Sequence, residues 1–311
     1  MSVETFHTLI ARNKRNSWLL IVLFSLFFVG LGLLIGGVWG HGDLRFAVAV
    51  AVIAAVVAFF LTLASYYGGS AAVLGVSRAH PIEKADDPQL FNVVEEIAIA
   101  AGVPMPKIYV IDDSAPNAFA TGRNPANAVV AITTGLRQKL TRDELQGVMA
   151  HEMGHVRNYD ILFAMLMAVM VGTVVMLSQV FLRSLWFGGG RRRRRSGGQG
   201  GGAGQIILLV VALVLAILAP FLAKIIQLAM SRQREYLADA TAVELTRNPE
   251  GLAYALAKIS NDPEVLEVAT KATAHMYIVH PFKAHEQRAS SLFSTHPPIK
   301  DRIDRLLALT R

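Results

Sequence analysis

The chain reads as an α+β protein of the multi-span helical membrane class, whose water-facing part is mainly helical and carries a small antiparallel sheet. Three observations point there. With 53% of its 311 residues apolar and 17% charged, it is too oily for a soluble domain of that length. Four stretches, Trp18–Gly40, Phe46–Ser77, Ile161–Leu182 and Ile206–Ala223, carry no charge at all, and about 20 helical residues are enough to cross a hydrocarbon core. Between and after them lie polar blocks, 78–160 and 224–311, which together make one domain of ordinary size.

Taken in order, the first apolar run follows Arg12, Lys14 and Arg15 as a signal peptide would, but it is too long and no small-x-small cleavage site follows it. It reads as a retained anchor, and 1–77 as a segment of two transmembrane helices. In 78–160, "DDPQLFNVVEEIAIAAG" has a proline near its start, apolar residues at helical spacing and a closing glycine, which predicts a helix. "PKIYVID", "NAFATG" and "NAVVAIT" follow as short β-prone runs between turn residues. Residues 161–230 form a hydrophobic hairpin, the third and fourth spans, around a Gly/Arg-rich loop at 184–205; the fourth run is the shortest and holds Pro220. Residues 231–311 complete the polar domain, with a helix over Ser231 to Thr246.

The chemistry concentrates in "GVMAHEMGHVRNYD", on a helix that "TRDE" opens with the spacing of a capping box between Thr141 and Glu144. Residues four apart lie on one helical face, so His151 and His155 can aim both imidazoles at one metal ion. Glu152 projects near that point, placed to act as a base on a water activated by the metal. The competing reading is a pair of packed polar histidines. A catalytic zinc takes three protein ligands, so a third must lie elsewhere. Glu235 and Asp239, again four apart, stand on the later helix; as plain surface carboxylates they would pair with neighbours such as Arg232 or Arg234. His7, His41, His80, His275, His280 and His285 have no partner spacing and read as surface or core residues.

"AHEMGHVRNYDIL", "SRQREYLADATA", "NAFATG" and "STHPPIKDRI", interleaved with hydrophobic spans, resemble the HtpX family of membrane zinc metalloproteases, relatives of the CAAX prenyl proteases. The resemblance covers nearly the whole chain apart from the loop at 184–205. It implies a zincin-like (gluzincin) catalytic domain and one Zn2+ per chain, with Glu235 as third ligand beside His151 and His155, and Asp239 as the partner that orients a ligating histidine. His₂Glu is a known catalytic zinc set, and ligating imidazoles generally donate their other N–H to a carboxylate or carbonyl. The resemblance further implies that the strand of Asn117, Ala118, Phe119 and Ala120 lies beside the active site, where its edge would bind an extended peptide through the backbone. For His296, in "THPP", it implies an imidazole near the substrate oxyanion, against a structural turn. Substrates would be proteins or peptides, membrane proteins above all, in quality control under stress, at a bacterial inner (plasma) membrane.

Parity sets the topology. His155 and Glu235 must meet across two apolar runs, and two more precede them, so the N-terminus lies on the catalytic side; Arg12, Lys14 and Arg15 mark that side as cytoplasmic. Arg191 to Arg195 then fall outside, against the positive-inside tendency, unless the third and fourth runs only dip into the bilayer; the four-span arrangement of the family favours crossing. Several classes drop out. The chain has no cysteine, which removes disulfides, thiolate metal sites and a cysteine nucleophile. The net charge of +7 owes five units to that arginine block and no nucleic-acid motif accompanies it, so no nucleic-acid partner is expected. The apolar spans hold no charge to mark an ion path, which disfavours a transporter. A non-enzymatic membrane scaffold with a protease-like fold is the remaining alternative to the peptidase, and the intact set of His151, Glu152, His155 and Glu235 argues against it.

Overall fold

A computed structural model describes residues 6–191, 232–270, 272–279, 281 and 297–310. The chain divides into two compact units, one of Met1–Ser17, Tyr67–Ala168 and Ile226–Arg311, the other of Trp18–Tyr66 and Val169–Ile225. The fourth apolar run, most of the Gly/Arg-rich loop and His296 lie outside the described residues.

Three helices among the described residues are long and apolar enough to cross a membrane: α1 (Phe6–Trp39), α2 (Leu44–Val76) and the first part of α6 (Asp160–Arg191). Their composition demands lipid. In the second unit Leu26, Ile53 and Phe60 are each more than half exposed, beside Trp18, Leu23 and Phe59. A soluble protein does not leave so much contiguous apolar surface in water. The helix α6 continues to Arg191, past the expected end of the run at Leu182, with no proline to stop it although it takes in the weak helix formers Gly188 to Gly190.

The first unit holds the polar core. In it α3 (Pro88–Ala101) forms where predicted: Asp87 caps its N-terminus by accepting from the Leu90 N–H, Pro88 follows, and Gly102 ends it at φ +66°, a left-handed position that suits glycine. Four strands follow the order β1-β2-β4-β3, with β1 at His80–Pro81, β2 at Lys107–Ile111, β3 at Ala118–Thr121 and β4 at Val129–Thr133. The sheet is mixed and not antiparallel throughout: β3 and β4 pair antiparallel, while β2 and β4 run parallel. The reason is topological, since β4 turns back from β3 and inserts between it and β2. The two-residue β1 was not legible in the sequence.

After the short α4 (Thr134–Lys139), the helix α5 (Arg142–Arg157) runs through the centre of the core, buried along nearly its whole length. The Thr141–Glu144 capping box forms as expected, each side chain bonding the other residue's N–H at 3.4 and 2.8 Å. Around α5 pack α3, α7 (Arg232–Thr246) and α8 (Pro249–Asn261); α9 (Ile299–Ala308) packs on α7 and α8. At Gly147 the backbone of α8 comes so close that a Cβ would sit 2.7 Å from Leu252 N. Only glycine admits that approach, which seats the helix bearing the histidines against its neighbour.

Candidate metal centre

His151 and His155 leave α5 one turn apart, and their Nε2 atoms stand 3.2 Å from each other. Across from them α7 presents Glu235, with its carboxylate oxygens 3.7 Å from His151 Nε2 and 3.6 Å from His155 Nε2. One ligand atom from each of the three lies within 4.8 Å of the others. This spacing fits zinc, because a tetrahedron with arms of about 2.0–2.1 Å has edges of about 3.3 Å. The donor set fits too, since both Nδ1 atoms are already engaged by carboxylates. Asp239, one turn along α7, lies 2.9 Å from His151 Nδ1, and Asp160 lies 3.0 Å from His155 Nδ1. Each Nε2 is thereby turned to the shared point, where its lone pair can serve a metal once the ring is neutral.

The structure brings together His151, Glu152, His155, Glu235 and Asp239 as the sequence predicted, and adds two residues that it did not reveal. The first is Asp160, which the turn after α5 folds back beneath His155; Tyr159 makes that turn at φ +61°, and Lys14 Nζ lies 4.3 Å from its ring centroid. The second is Arg302 of α9, fully buried, whose guanidinium grips Asp239 through Nε at 2.8 Å and Nη2 at 2.6 Å. Its Nη1 bonds the Ile278 carbonyl at 3.1 Å and approaches Glu235 to 3.5 Å. Both residues stand inside the motifs quoted above, "HVRNYD" and "STHPPIKDRI", so proximity to those motifs was the available signal.

Burial and charge tune the titrating groups in opposite directions. Burial pushes the His151 ring down, and Arg302 and His155 add to it against the pull of Asp239. Burial would do the same to His155, but Asp160, Glu235 and Glu152 outweigh it and raise that ring to about 9. Glu152 is pushed up to about 7, mainly by burial, with Glu235 adding and the Ala120 N–H and His155 opposing. Its Oε1 is buried and has no hydrogen-bond partner among the described residues. A carboxylate oxygen left in that condition is placed to meet a ligand.

A small, partly open cleft lies over these residues, walled by Ile161, Phe163, Ala164, Met276 and Ile278. Of the predicted substrate strand, Ala120 lines the cleft, whereas Asn117 is buried and structural, its Nδ2 donating to the Val279 carbonyl at 2.9 Å. The Ala118 carbonyl accepts from the Ile278 N–H at 3.0 Å, and Phe119 packs edge-on against Tyr277. Of the histidines read as surface or core residues, His275 is buried and lines the cleft, with Nε2 3.2 Å from the Ala164 carbonyl.

A comparison with known families matches residues 84–310 to peptidase family M48. Two proteins, each named Protease HtpX homolog, are similar over all or nearly all of their length. That of Caldanaerobacter subterraneus is 44% identical over 310 residues, covering 100% of both chains. That of Dictyoglomus thermophilum is 45% identical over 306 residues, covering 98% of this chain and 95% of its own. The crystal structure of S. mikatae Ste24p aligns with a TM-score of 0.49 at 22% identity, covering 93% of this chain and 66%, just under two thirds, of that one.

Proposed function

The chain belongs to peptidase family M48 and is a membrane metalloprotease of the HtpX type with a zinc site at His151, His155 and Glu235; from that premise we propose that it cuts damaged or misfolded membrane proteins at a cytoplasmic membrane face. One observation carries the substrate class. Ile161, Phe163 and Ala164, which wall the cleft, form the first turn of a helix apolar enough to span a membrane, so the cleft opens at the depth where a membrane segment ends. Apolar side chains would be bound there by the same burial that holds the core together.

Zinc, when bound, supplies a Lewis acid that lowers the pKa of a water and polarises a carbonyl. The chain's own residues do the rest. Asp160 and Asp239 keep the two imidazoles turned forward, and Arg302 balances the charge of Asp239 and Glu235. Glu152 is the general base: its carboxylate takes the proton of the attacking water and delivers it to the departing amine, a transfer suited to a group held near neutral pH.

The test measures metal content and cleavage together on the detergent-purified full chain, with an unfolded membrane protein and soluble casein as substrates. Wild type should carry about one zinc per chain and cut the membrane substrate faster. Glu152→Gln should keep zinc and lose about 10²- to 10⁴-fold in turnover, whereas His151→Ala should lose both. A zinc-loaded Glu152→Gln enzyme with undiminished cleavage would remove the base from the mechanism. Equal cleavage of casein and the membrane substrate would remove the substrate class.

A further inference from the structure

Asn13 lies on α1 in the short stretch that belongs to the first unit, and it is only 2% exposed. Its Nδ2 donates to the Asn158 carbonyl at 2.9 Å and to Asp160 Oδ1 at 2.6 Å, while its Oδ1 accepts from Arg234 Nη1 at 3.3 Å. Both amide hydrogens and the carbonyl oxygen are thus used, which allows the amide one orientation. The other oxygen of the same Asp160 carboxylate holds His155 Nδ1 at 3.0 Å. A continuous line of hydrogen bonds therefore runs from the first membrane helix to a zinc ligand.

We infer that Asn13 is a positioning residue for the metal centre, holding Asp160 in the orientation that turns His155 Nε2 to the zinc. Electrostatics explains why such a residue is needed. Arg234 Nη1 forms an ion pair with Asp160 Oδ1 at 3.6 Å and pulls on the oxygen opposite the one that holds His155. Asn13 bonds both partners of that pair: it gives Arg234 an acceptor and donates to Asp160 Oδ1 at 2.6 Å, closer than the guanidinium stands, which holds the carboxylate against rotation off the imidazole. The first membrane helix is then part of the active site and not only its anchor.

This inference rests on the zinc reading of His151, His155 and Glu235, and the experiment separates the two. Zinc dissociation constants are measured on the full chain in detergent by competition with a chromophoric chelator. Asn13→Ala should raise the constant about tenfold, within the range known for residues behind a metal ligand. In the Asp160→Asn background the same change should add nothing, because Asn13 acts through Asp160. Ser17→Ala, one turn along α1 with its hydroxyl bonded to the Asn13 carbonyl, should leave zinc binding unchanged. Asn13→Asp keeps the side-chain volume while losing the donor, and reads the same coupling if the alanine variant does not fold. An unchanged constant in both Asn13 variants, or losses that add in the double variant, overturns the inference. Wild type that binds no zinc at all overturns the metal reading itself.

Discussion

Arg302 makes a site crowded with carboxylates tenable. Glu152, Glu235, Asp239 and Asp160 converge on two imidazoles in a buried space, and burial alone would force several of these carboxyls to protonate. Burial raises Asp239, but Arg302 and His151 outweigh it and hold that carboxyl below the usual range, so it accepts from His151 as an anion. Removing the guanidinium would leave buried charge uncompensated. Arg302→Ala should therefore cost about 3–5 kcal/mol of stability, and Arg302→Lys should restore little, since an ammonium cannot grip Asp239 through two parallel bonds; thermal unfolding in detergent, with zinc content alongside, checks both. His155 yields a second expectation. Its ring, raised to about 9, carries a proton at pH 7, yet must be neutral to bind a metal. Zinc uptake at pH 7 should expel about one proton, and apparent affinity should climb roughly tenfold per pH unit towards 9. Titration calorimetry in buffers of different ionisation enthalpy reads the proton directly, and heats independent of buffer would contradict the raised ring. At this scale His151 and His155 were legible because a four-residue helical spacing puts the pair on one face, whereas the same spacing of Glu235 and Asp239 gained its meaning only from the family resemblance. Asp160 and Arg302 were not, since one needs the turn at Tyr159 and the other the packing of α9, neither of which periodicity encodes.

The helix α5 shows how an element turns local sequence into catalytic geometry. Its position depends on a closely fitted neighbour at Gly147 and on a start set by Thr141 and Glu144. Glu144 does double duty, for its carboxylate also takes a 2.7 Å bond from Lys258 of α8. Burial pushes this carboxyl up, but Lys258 and Thr141 together outweigh it and hold it below the ordinary glutamate range. The unfolded chain then binds the proton more readily than the folded one. The stabilisation is complete above the ordinary glutamate pKa of about 4.3 and disappears as pH falls through the lower folded value. Thr141→Ala should cost about 1 kcal/mol. The Tm gap between wild type and Glu144→Gln should be open at pH 7 and closed in strong acid; a gap that persists there would mean the carboxylate charge contributes nothing. The helices α3, α5 and α7 were legible because caps and apolar spacing are local signals. The sheet was less so: β2, β3 and β4 were visible and β1 was not, and the parallel pairing of β2 with β4 follows from the order in which strands assemble, which composition does not carry.

For the whole molecule, the contact between Asn13 and Asp160 brings the starts of α1 and α6 together on the face that holds the metal centre. The helices α1 and α2 and the first part of α6 are each long and apolar enough to cross. Glu235 nevertheless stands 3.6 Å from His155, so an even number of crossings must separate Asp160 from Glu235. If α6 spans the bilayer, the chain must cross once more before α7, and the apolar run Ile206–Ala223 is the segment that can do it. For Arg12, Lys14 and Arg15 at the start of α1 the positive-inside rule predicts a cytoplasmic catalytic face, and for the arginine block between the last two runs it predicts the reverse. The absence of native cysteine makes the orientation directly measurable. Ala85→Cys lies on an exposed turn beside the catalytic core, and His41→Cys lies on the exposed turn between α1 and α2. In intact bacterial cells a membrane-impermeant maleimide should label position 41 and leave 85 untouched until the membrane is broken. The reverse pattern would put the protease on the outer face; labelling of both in intact cells would mean that the first two helices do not form a crossing pair.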